Sequence, residues 1–148
     1  MDPKLQEVEL LLVEDNPGDV RLMLESLKEV KMHNHVNSVK DGIEAIEFLR
    51  KQGKFADAPR PDLILLDLNL PRKSGAEVLA EIKADESLKS IPVVVLTSSS
   101  ADSDIGRVYQ IGANACVTKP LDLEQFVKIV QTIGDFWIAI VKLPPHQF

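Results

Sequence analysis

The chain has 148 residues, of which 45% are hydrophobic and 27% charged, and its formal net charge is −6 at pH 7. These values are typical of one soluble globular domain, and an acidic chain without a Lys or Arg cluster is a poor partner for nucleic acid. The N-terminus lacks a signal peptide pattern, no apolar run reaches the roughly 20 residues that cross a bilayer, and the single Cys116 forms no intramolecular disulfide. We therefore expect a cytoplasmic protein that binds neither nucleic acid nor membranes.

The first half of the chain alternates short aliphatic runs with longer segments of helical periodicity. Residues 8–13 (VELLLV) predict a strand, and Asn16 followed by Pro17 predicts the N-cap and first residue of a helix. The run at 35–39 (HVNSV) alternates apolar and polar residues, which indicates a strand at the edge of a sheet. A second helix is predicted from about 42 to 52.

The second half continues this alternation. Strands are predicted at 62–67, 91–97 and 115–118, and helices at about 75–85, 101–111 and 122–141. Gly106 weakens the fourth helix by about 1 kcal/mol relative to Ala, and the segment at 111–114 (IGAN) predicts its glycine stop. The order of elements predicts a parallel sheet with right-handed crossovers, since an antiparallel α+β fold needs connections that this chain does not offer. We predict an α/β, doubly wound flavodoxin-like (βα)5 fold with strand order 2-1-3-4-5.

Polar side chains stand at the carboxyl ends of the central predicted strands. Glu14 and Asp15 end the first strand, Asp67 ends the third, Thr97 ends the fourth, and Lys119 follows the fifth. Open parallel sheets bind their ligands outside the carboxyl ends of the strands, near the switch in strand order. We therefore expect three carboxylates, one hydroxyl and one ammonium to share a single pocket.

This set of side chains predicts phosphoryl transfer around a divalent cation. Three close carboxylates raise one another's pKa, and Mg²⁺ removes that conflict because it accepts one or two carboxylates beside phosphate oxygens. Asp67 can then act as a nucleophile toward phosphorus, Thr97 can donate a hydrogen bond to a phosphoryl oxygen, and Lys119 can neutralise its charge. Positioning and charge stabilisation of this kind are what phosphoryl transfer requires.

Four motifs in this order and spacing carry a resemblance to a known family. The segments LLVEDN, LILLDLNLPRKSG, VVVLTSS and CVTKP resemble the receiver domain of two-component response regulators over roughly residues 8–135. The resemblance implies that a sensor histidine kinase transfers a phosphoryl group to Asp67. It also implies that Thr97 and Lys119 contact that group.

The same resemblance implies a metal site and shows two departures from the family pattern. Asp15, Asp67 and the backbone carbonyl of Asn69 are implied ligands of Mg²⁺, with Glu14 acting through water. Glu14 stands where Asp is commoner, which keeps the charge but lengthens the side chain. Cys116 stands where the family usually has Tyr or Phe, so the coupling of that aromatic ring to Thr97 is in doubt.

A further resemblance concerns the third predicted helix and the C-terminal tail. The segments DLNLPRKSGAEVLAEIKAD and FWIAIVKLP are similar to the small response regulators paired with bacterial and cyanobacterial phytochromes. That resemblance implies a phytochrome-type kinase and a homodimer through the face of helix 4, strand 5 and helix 5, extended by the tail. Apolar residues lie off the main stripe of the last helix or late in the chain, which favours an interface: Ile129, Ile133, Phe136 and Trp137.

The resulting prediction is a stand-alone response regulator that forms one domain over 1–148, with no output domain. It would be a signalling protein and not an enzyme, apart from its own phosphorylation and dephosphorylation, and it would switch its surface or its dimer when phosphorylated. One alternative is a dimeric adaptor that accepts no phosphate. Another is an Asp-nucleophile phosphatase of the haloacid-dehalogenase kind, which usually has D-x-D where this chain has Asp67, Leu68 and Asn69.

Overall fold

The structure is a computed structural model, and it describes residues 7–30, 33–98, 102–119 and 122–135. Five strands alternate with five helices in these ranges: β1 Val8–Val13, α1 Pro17–Leu27, β2 Asn34–Val39, α2 Gly42–Leu49, β3 Leu63–Asp67, α3 Gly75–Ala84, β4 Val93–Thr97, α4 Asp102–Ile111, β5 Ala115–Thr118 and α5 Leu123–Asp135. The strands form one parallel sheet in the order β2-β1-β3-β4-β5. The predicted doubly wound fold is therefore confirmed, with β2 at an edge as its alternating sequence indicated.

Two separate apolar clusters cover the two faces of the sheet. On one face Met23 and Leu27 of α1 and Phe126 and Val130 of α5 are buried against the strands. On the other face the buried side chains of α2, α3 and α4 pack on the alternate strand residues. All five residues of β3 are buried, as expected for a central parallel strand that is covered on both faces.

The helix starts follow their sequence signals closely. The side chain of Asn16 accepts a hydrogen bond from the backbone N–H of Asp19, and Pro17 is the first residue of α1, as predicted. Ser74 forms a capping box with Glu77 at the start of α3, which satisfies two backbone donors that the helix itself cannot satisfy. At the end of α4, Gly112 has a φ of 130°, so the predicted glycine stop is also present.

The end of α2 differs from the prediction of a helix to residue 52. The helix ends at Leu49, because Lys51 adopts a φ of 56° in the left-handed region. The backbone N–H of Lys51 then donates to the carbonyl of Phe48, and that of Gln52 donates to the carbonyl of Glu47. This is the pattern of a Schellman motif, in which glycine is the usual residue at the left-handed position. A short 3₁₀ turn at Gly53–Phe55 follows, which the sequence did not signal.

The predicted C-terminal extension lies largely outside the described residues. The structure describes α5 as Leu123–Asp135, whereas the predicted helix continued to residue 141. The predicted interface residues Phe136 and Trp137 fall outside the described ranges, and the side chain of Ile133 is not described. Ile129 is half-buried against the α1–α5 side of the core. In the part of the chain that the structure describes, no helix is both long and apolar enough to cross a bilayer.

Candidate functional site

The polar ends of four strands lie at one edge of the sheet. Because β1 lies between β2 and β3, the strand order switches direction at β1, and ligands of doubly wound sheets bind at such a switch. Glu14 and Asp15 directly follow β1, Asp67 is the last residue of β3, Thr97 is the last residue of β4, and Lys119 directly follows β5. The topology thus gathers at one rim residues that are more than a hundred positions apart.

The ammonium of Lys119 is the centre of this group. Its Nζ atom lies 2.6 Å from Oε1 of Glu14, 3.0 Å from Oδ2 of Asp19 and 3.2 Å from Oδ2 of Asp67. Burial alone would lower the pKa of Lys119, but the ion pairs with Glu14 and Asp19 and the charge of Asp67 outweigh it and raise the pKa. Lys119 is therefore a permanent positive charge at this rim.

Three carboxylates at the same rim form a candidate oxygen site for a divalent cation. One oxygen each of Glu14, Asp15 and Asp67 lies within 4.8 Å of the others. Glu14 and Asp67 are buried, whereas Asp15 is exposed, so the site has an open side from which an ion and its waters can enter. Hard oxygen ligands with room for water suit Mg²⁺, which keeps part of its hydration shell in proteins.

The negative charge around Glu14 is only partly neutralised, since the carboxylates of Glu14, Asp19 and Asp67 share the one ammonium of Lys119. The net effect raises the pKa of Glu14 from 4.5 to about 7: burial and the hydrogen bond to Asp67 raise it, while Lys119 and the backbone N–H of Asn16 act in the opposite direction. In the absence of metal, Glu14 is therefore mostly protonated at pH 5 and loses its proton around pH 7.

This raised pKa predicts that the metal-free protein loses stability as the pH rises from about 5 to 8. The folded chain binds a proton at Glu14 that the unfolded chain has released, so the free energy of unfolding falls through this window by on the order of 2–3 kcal/mol. The raised pKa of Lys119 contributes equally across the window, because both its folded and its unfolded values lie above it. Urea unfolding in the presence of a chelator measures the slope.

The matched variant is Glu14→Gln, which keeps the side-chain size and cannot titrate. Its free energy of unfolding should change little between pH 5 and 8 beyond the background of the other groups. An equal slope in the variant and the original chain would show that another group carries the pH dependence.

The loop after β3 places Asn69 beside Asp67. The backbone N–H of Asn69 donates to Oδ1 of Asp67 at 3.0 Å, and its side-chain amide donates to Oγ of Ser98 at 2.8 Å. The loop therefore orients one carboxylate oxygen of Asp67 and contacts the segment that follows β4. The backbone carbonyl of Asn69, the predicted metal ligand, belongs to this loop.

Thr97 lies in the strand next to β3 and is buried, with 2% of its surface exposed. Its backbone carbonyl accepts a hydrogen bond of 2.6 Å from the backbone N–H of Lys119. This bond fixes the backbone of Lys119 against the end of β4. Thr97 and Lys119, the two residues predicted to contact the phosphoryl group, are therefore neighbours in the structure.

Asp19 is a site residue that the sequence analysis missed. It occupies the first turn of α1, where a carboxylate stabilises the helix N-terminus, and that common role hides any other. Its spacing from Asp15 gives no signal either, because Asp15 precedes the N-cap Asn16 and therefore lies outside α1. Its contact with Lys119 shows that α1 contributes a carboxylate to the site.

Cys116 lies in β5 opposite Val95 of β4. It is half-buried, packs against the cluster on the α2–α3–α4 face and forms no disulfide. Burial raises the pKa of its thiol, so Cys116 is a neutral thiol at pH 7. The position is occupied by a small apolar side chain and not by an aromatic ring.

Comparisons with known proteins agree with this geometry. A family model for the response regulator receiver domain matches residues 10–131. Response regulator Rcp1 of Synechocystis sp. is 47% identical over 135 residues, which are 91% of this chain and 92% of that protein. The crystal structure of the phosphorylated cyanobacterial phytochrome response regulator RcpA is 48% identical with a TM-score of 0.81, and the match covers 94% of this chain and 99% of that one.

A second solved structure bears on the metal. The Mn²⁺-bound form of response regulator Rcp1 is 46% identical with a TM-score of 0.80, and the match covers 93% of this chain and 99% of that one. A relative with this fold therefore binds a divalent cation, and the carboxylates of Glu14, Asp15 and Asp67 supply suitable ligands in this chain. The chain belongs to the response regulator receiver domain family of two-component signalling proteins and is related to phytochrome response regulators.

Proposed function

We propose that this protein receives a phosphoryl group on Asp67 from a sensor histidine kinase of the phytochrome type and relays the signal through its surface. The observation that carries the proposal is the contact of Lys119 with both Glu14 and Asp67 at the carboxyl ends of the central strands. A single cation held beside a buried carboxylate suits an acceptor for an anionic group. The similarity to RcpA, a cyanobacterial phytochrome response regulator, supports the phytochrome assignment.

The proposed reaction transfers phosphorus from nitrogen to oxygen. A carboxylate oxygen of Asp67 attacks the phosphorus atom of a phosphohistidine, the new O–P bond forms, and the P–N bond breaks. The electron pair of that bond stays on the imidazole of the kinase, which then takes a proton. Asp67 is suited to this attack because the N–H of Asn69 orients one oxygen while Lys119 contacts the other.

Other residues at the rim have supporting roles in the proposal. Asp15, Asp67 and the backbone carbonyl of Asn69 would hold Mg²⁺, with Glu14 acting through water. The ion would offset the negative charge that gathers where the donor phosphate meets the carboxylates. The Thr97 hydroxyl would donate to a phosphoryl oxygen, and Lys119 would neutralise the charge of that group.

The test is the intact mass of the protein after incubation with Mg²⁺ and a small acyl phosphate. We expect the gain of one phosphoryl group, because the site needs only a reactive phosphorus donor once the ion is present. Asp67→Asn should gain none, whereas Asp57→Asn, a matched change at an exposed loop residue, should behave as the original chain does.

Two outcomes would count against the phosphoryl switch. An adduct on Asp67→Asn would move the acceptor to another residue. No adduct on the original chain, at times short compared with hydrolysis, would instead favour the adaptor that accepts no phosphate.

We further propose that the protein is a cytoplasmic homodimer that pairs through the face of α4, β5 and α5 and its C-terminal tail. The late aromatic residues support this, because large aromatic side chains are common anchors of interfaces. Sedimentation should give a dimer for the original chain and a weaker one for Trp137→Ala. Leu22→Ala, at an exposed apolar residue of α1 outside the proposed α4–β5–α5 face, should leave the dimer intact. A monomer with and without a phosphoryl analogue would contradict the proposal.

A further inference from the structure

Asp19 is the carboxylate at the rim that the proposed function leaves without a role. It is the third residue of α1, where its backbone N–H donates to the side chain of Asn16 at 3.0 Å. This hydrogen bond fixes the backbone of Asp19 in the first turn of α1, and so it fixes the position of the Cα atom that carries the side chain. From there its Oδ2 reaches Nζ of Lys119 at 3.0 Å, across a sequence separation of 100 residues.

The donors of Lys119 are fully used in this arrangement. An ammonium has three N–H donors and no acceptor. Its three partners are the carboxylates of Glu14, Asp19 and Asp67. A phosphoryl oxygen at Asp67 can therefore receive a hydrogen bond from Lys119 only if one of these three contacts is released.

Burial identifies the contact that is most easily released. The side chain of Glu14 is 0% exposed and that of Asp67 is 3% exposed, whereas that of Asp19 is 33% exposed. A carboxylate that loses its cation in a buried place is left without solvation. The Asp19 carboxylate can be solvated by water instead, so breaking its contact with Lys119 costs less free energy than breaking either of the other two.

We propose that Asp19 is a positioning residue that holds the third donor of Lys119 in the unphosphorylated protein and releases it to the phosphoryl group. The inference rests on the proposed function and deepens it. Asp19 stabilises the unphosphorylated form through its contact with Lys119. It also places a negative charge near the incoming phosphoryl group, which is itself an anion. Its removal therefore favours the phosphorylated form.

The competing explanation is that Asp19 only stabilises the N-terminus of α1, as first-turn carboxylates do. That role predicts a loss of stability in Asp19→Asn and no change in the affinity for a phosphoryl analogue. If the phosphoryl group instead replaces Asp19 as a partner of Lys119, Asp19→Asn should change that affinity. Asp19→Glu keeps the charge and can reach the ammonium, so it should resemble the original chain.

The experiment measures the affinity of each variant for beryllium fluoride, a phosphoryl analogue, at saturating Mg²⁺ by nuclear magnetic resonance. We expect Asp19→Asn to bind about fivefold more tightly, as for the loss of one like charge a few ångströms from an anion in a wet site. Phosphorylation by a small acyl phosphate should be faster by a similar factor. Glu25→Gln removes one charge from an exposed position of the same helix and should change neither value.

Three results decide the matter. Unchanged or weaker binding by Asp19→Asn would overturn the proposal, and so would an equal gain in Glu25→Gln, because the effect would then be one of general charge. If the original chain bound no analogue and accepted no phosphoryl group, the proposed function would fall. The ammonium signal of Lys119 at fixed pH would then test the pairing separately: a difference between the original chain and Asp19→Asn supports it, and identical signals refute it.

Discussion

Lys119→Met is expected to lower the free energy of unfolding of the metal-free protein at pH 8 by about 3 kcal/mol. The substitution keeps an unbranched side chain of similar length and removes the cation that contacts Glu14, Asp19 and Asp67. Two of these carboxylates are almost fully buried, and a buried charge that loses its partner typically destabilises a protein by about 3–5 kcal/mol. Asp19 contributes less to this loss because it can turn to solvent.

The loss should depend on pH and on metal, which separates it from a simple packing defect. Protonation relieves buried carboxylates, so the difference between Lys119→Met and the original chain should shrink toward pH 5. Mg²⁺ should restore part of the stability of the variant, because it supplies positive charge to the same oxygens. Urea unfolding at pH 5 and pH 8, with chelator or with Mg²⁺, measures both effects.

The matched control for this substitution is Lys54→Met. The Nζ atom of Lys54 lies 3.0 Å from Oε2 of Glu44, but the Lys54 side chain is 68% exposed, and pairs at the surface contribute about 0–1 kcal/mol. The control should therefore lose little stability and show little dependence on Mg²⁺. A loss in Lys54→Met as large as in Lys119→Met would refute the view that burial makes the Lys119 site special.

Phosphorylation of Lys119→Met by a small acyl phosphate should also be slower, by about 100-fold at saturating Mg²⁺. Removal of one preorganised donor from a site of developing charge has an effect of about this size in enzymes. A rate equal to that of the original chain would exclude Lys119 from the transfer step. The stability loss could stand even then, since the two effects arise from different partners of the ammonium.

Much of the sheet could be predicted because its signals are local. The buried run of β3 and the alternation in β2 each reflect how many faces of the strand are covered, and Asn16 with Pro17 identifies a helix start by the chemistry of the backbone donors. The end of α2 could not be predicted, because Lys51 adopts a conformation that its side chain does not signal. Backbone hydrogen bonds from Lys51 and Gln52 to the last turn of α2 accompany it there.

The site shows the same division between local and distant information. Asp67 and Lys119 could be identified because strand ends in a parallel sheet meet at one rim, whatever the details of packing. Asp19 could not, since its contact depends on the rotation of α1 about its axis and on the position of α1 over the sheet. The first turn of a helix favours a carboxylate in any case, so the residue type alone does not reveal a second role.

Gly75→Ala is expected to destabilise the protein by about 3 kcal/mol and to disturb the site at the same time. Gly75 is the first residue of α3, and an added Cβ would lie 2.3 Å from the backbone oxygen of Asp67 and 2.5 Å from Cα of Leu68. Both atoms belong to the backbone, so a flexible side chain cannot move aside to make room. Overpacking of this kind typically costs about 1–3 kcal/mol or more.

The control is Gly106→Ala in the interior of α4, where an added Cβ meets nothing within 4 Å. Alanine loses less conformational entropy on folding than glycine, so this variant should gain about 0.5–1 kcal/mol. Thermal or urea unfolding of the two variants gives opposite signs if space is what matters at Gly75. Equal effects in both would mean that helix propensity alone governs these positions.

The consequence for function follows from which atoms the new methyl group would displace. The backbone of Asp67 must shift to admit it, and the loop that carries Asn69 shifts with it, because the backbone N–H of Gly75 donates to the carbonyl of Leu68. A misplacement of about 1 Å can slow a reaction by about 100-fold. Phosphorylation of Gly75→Ala should therefore be strongly impaired even at low temperature, where the variant remains folded. A folded variant that is phosphorylated at the original rate would show that the β3–α3 packing does not determine the position of the acceptor carboxylate.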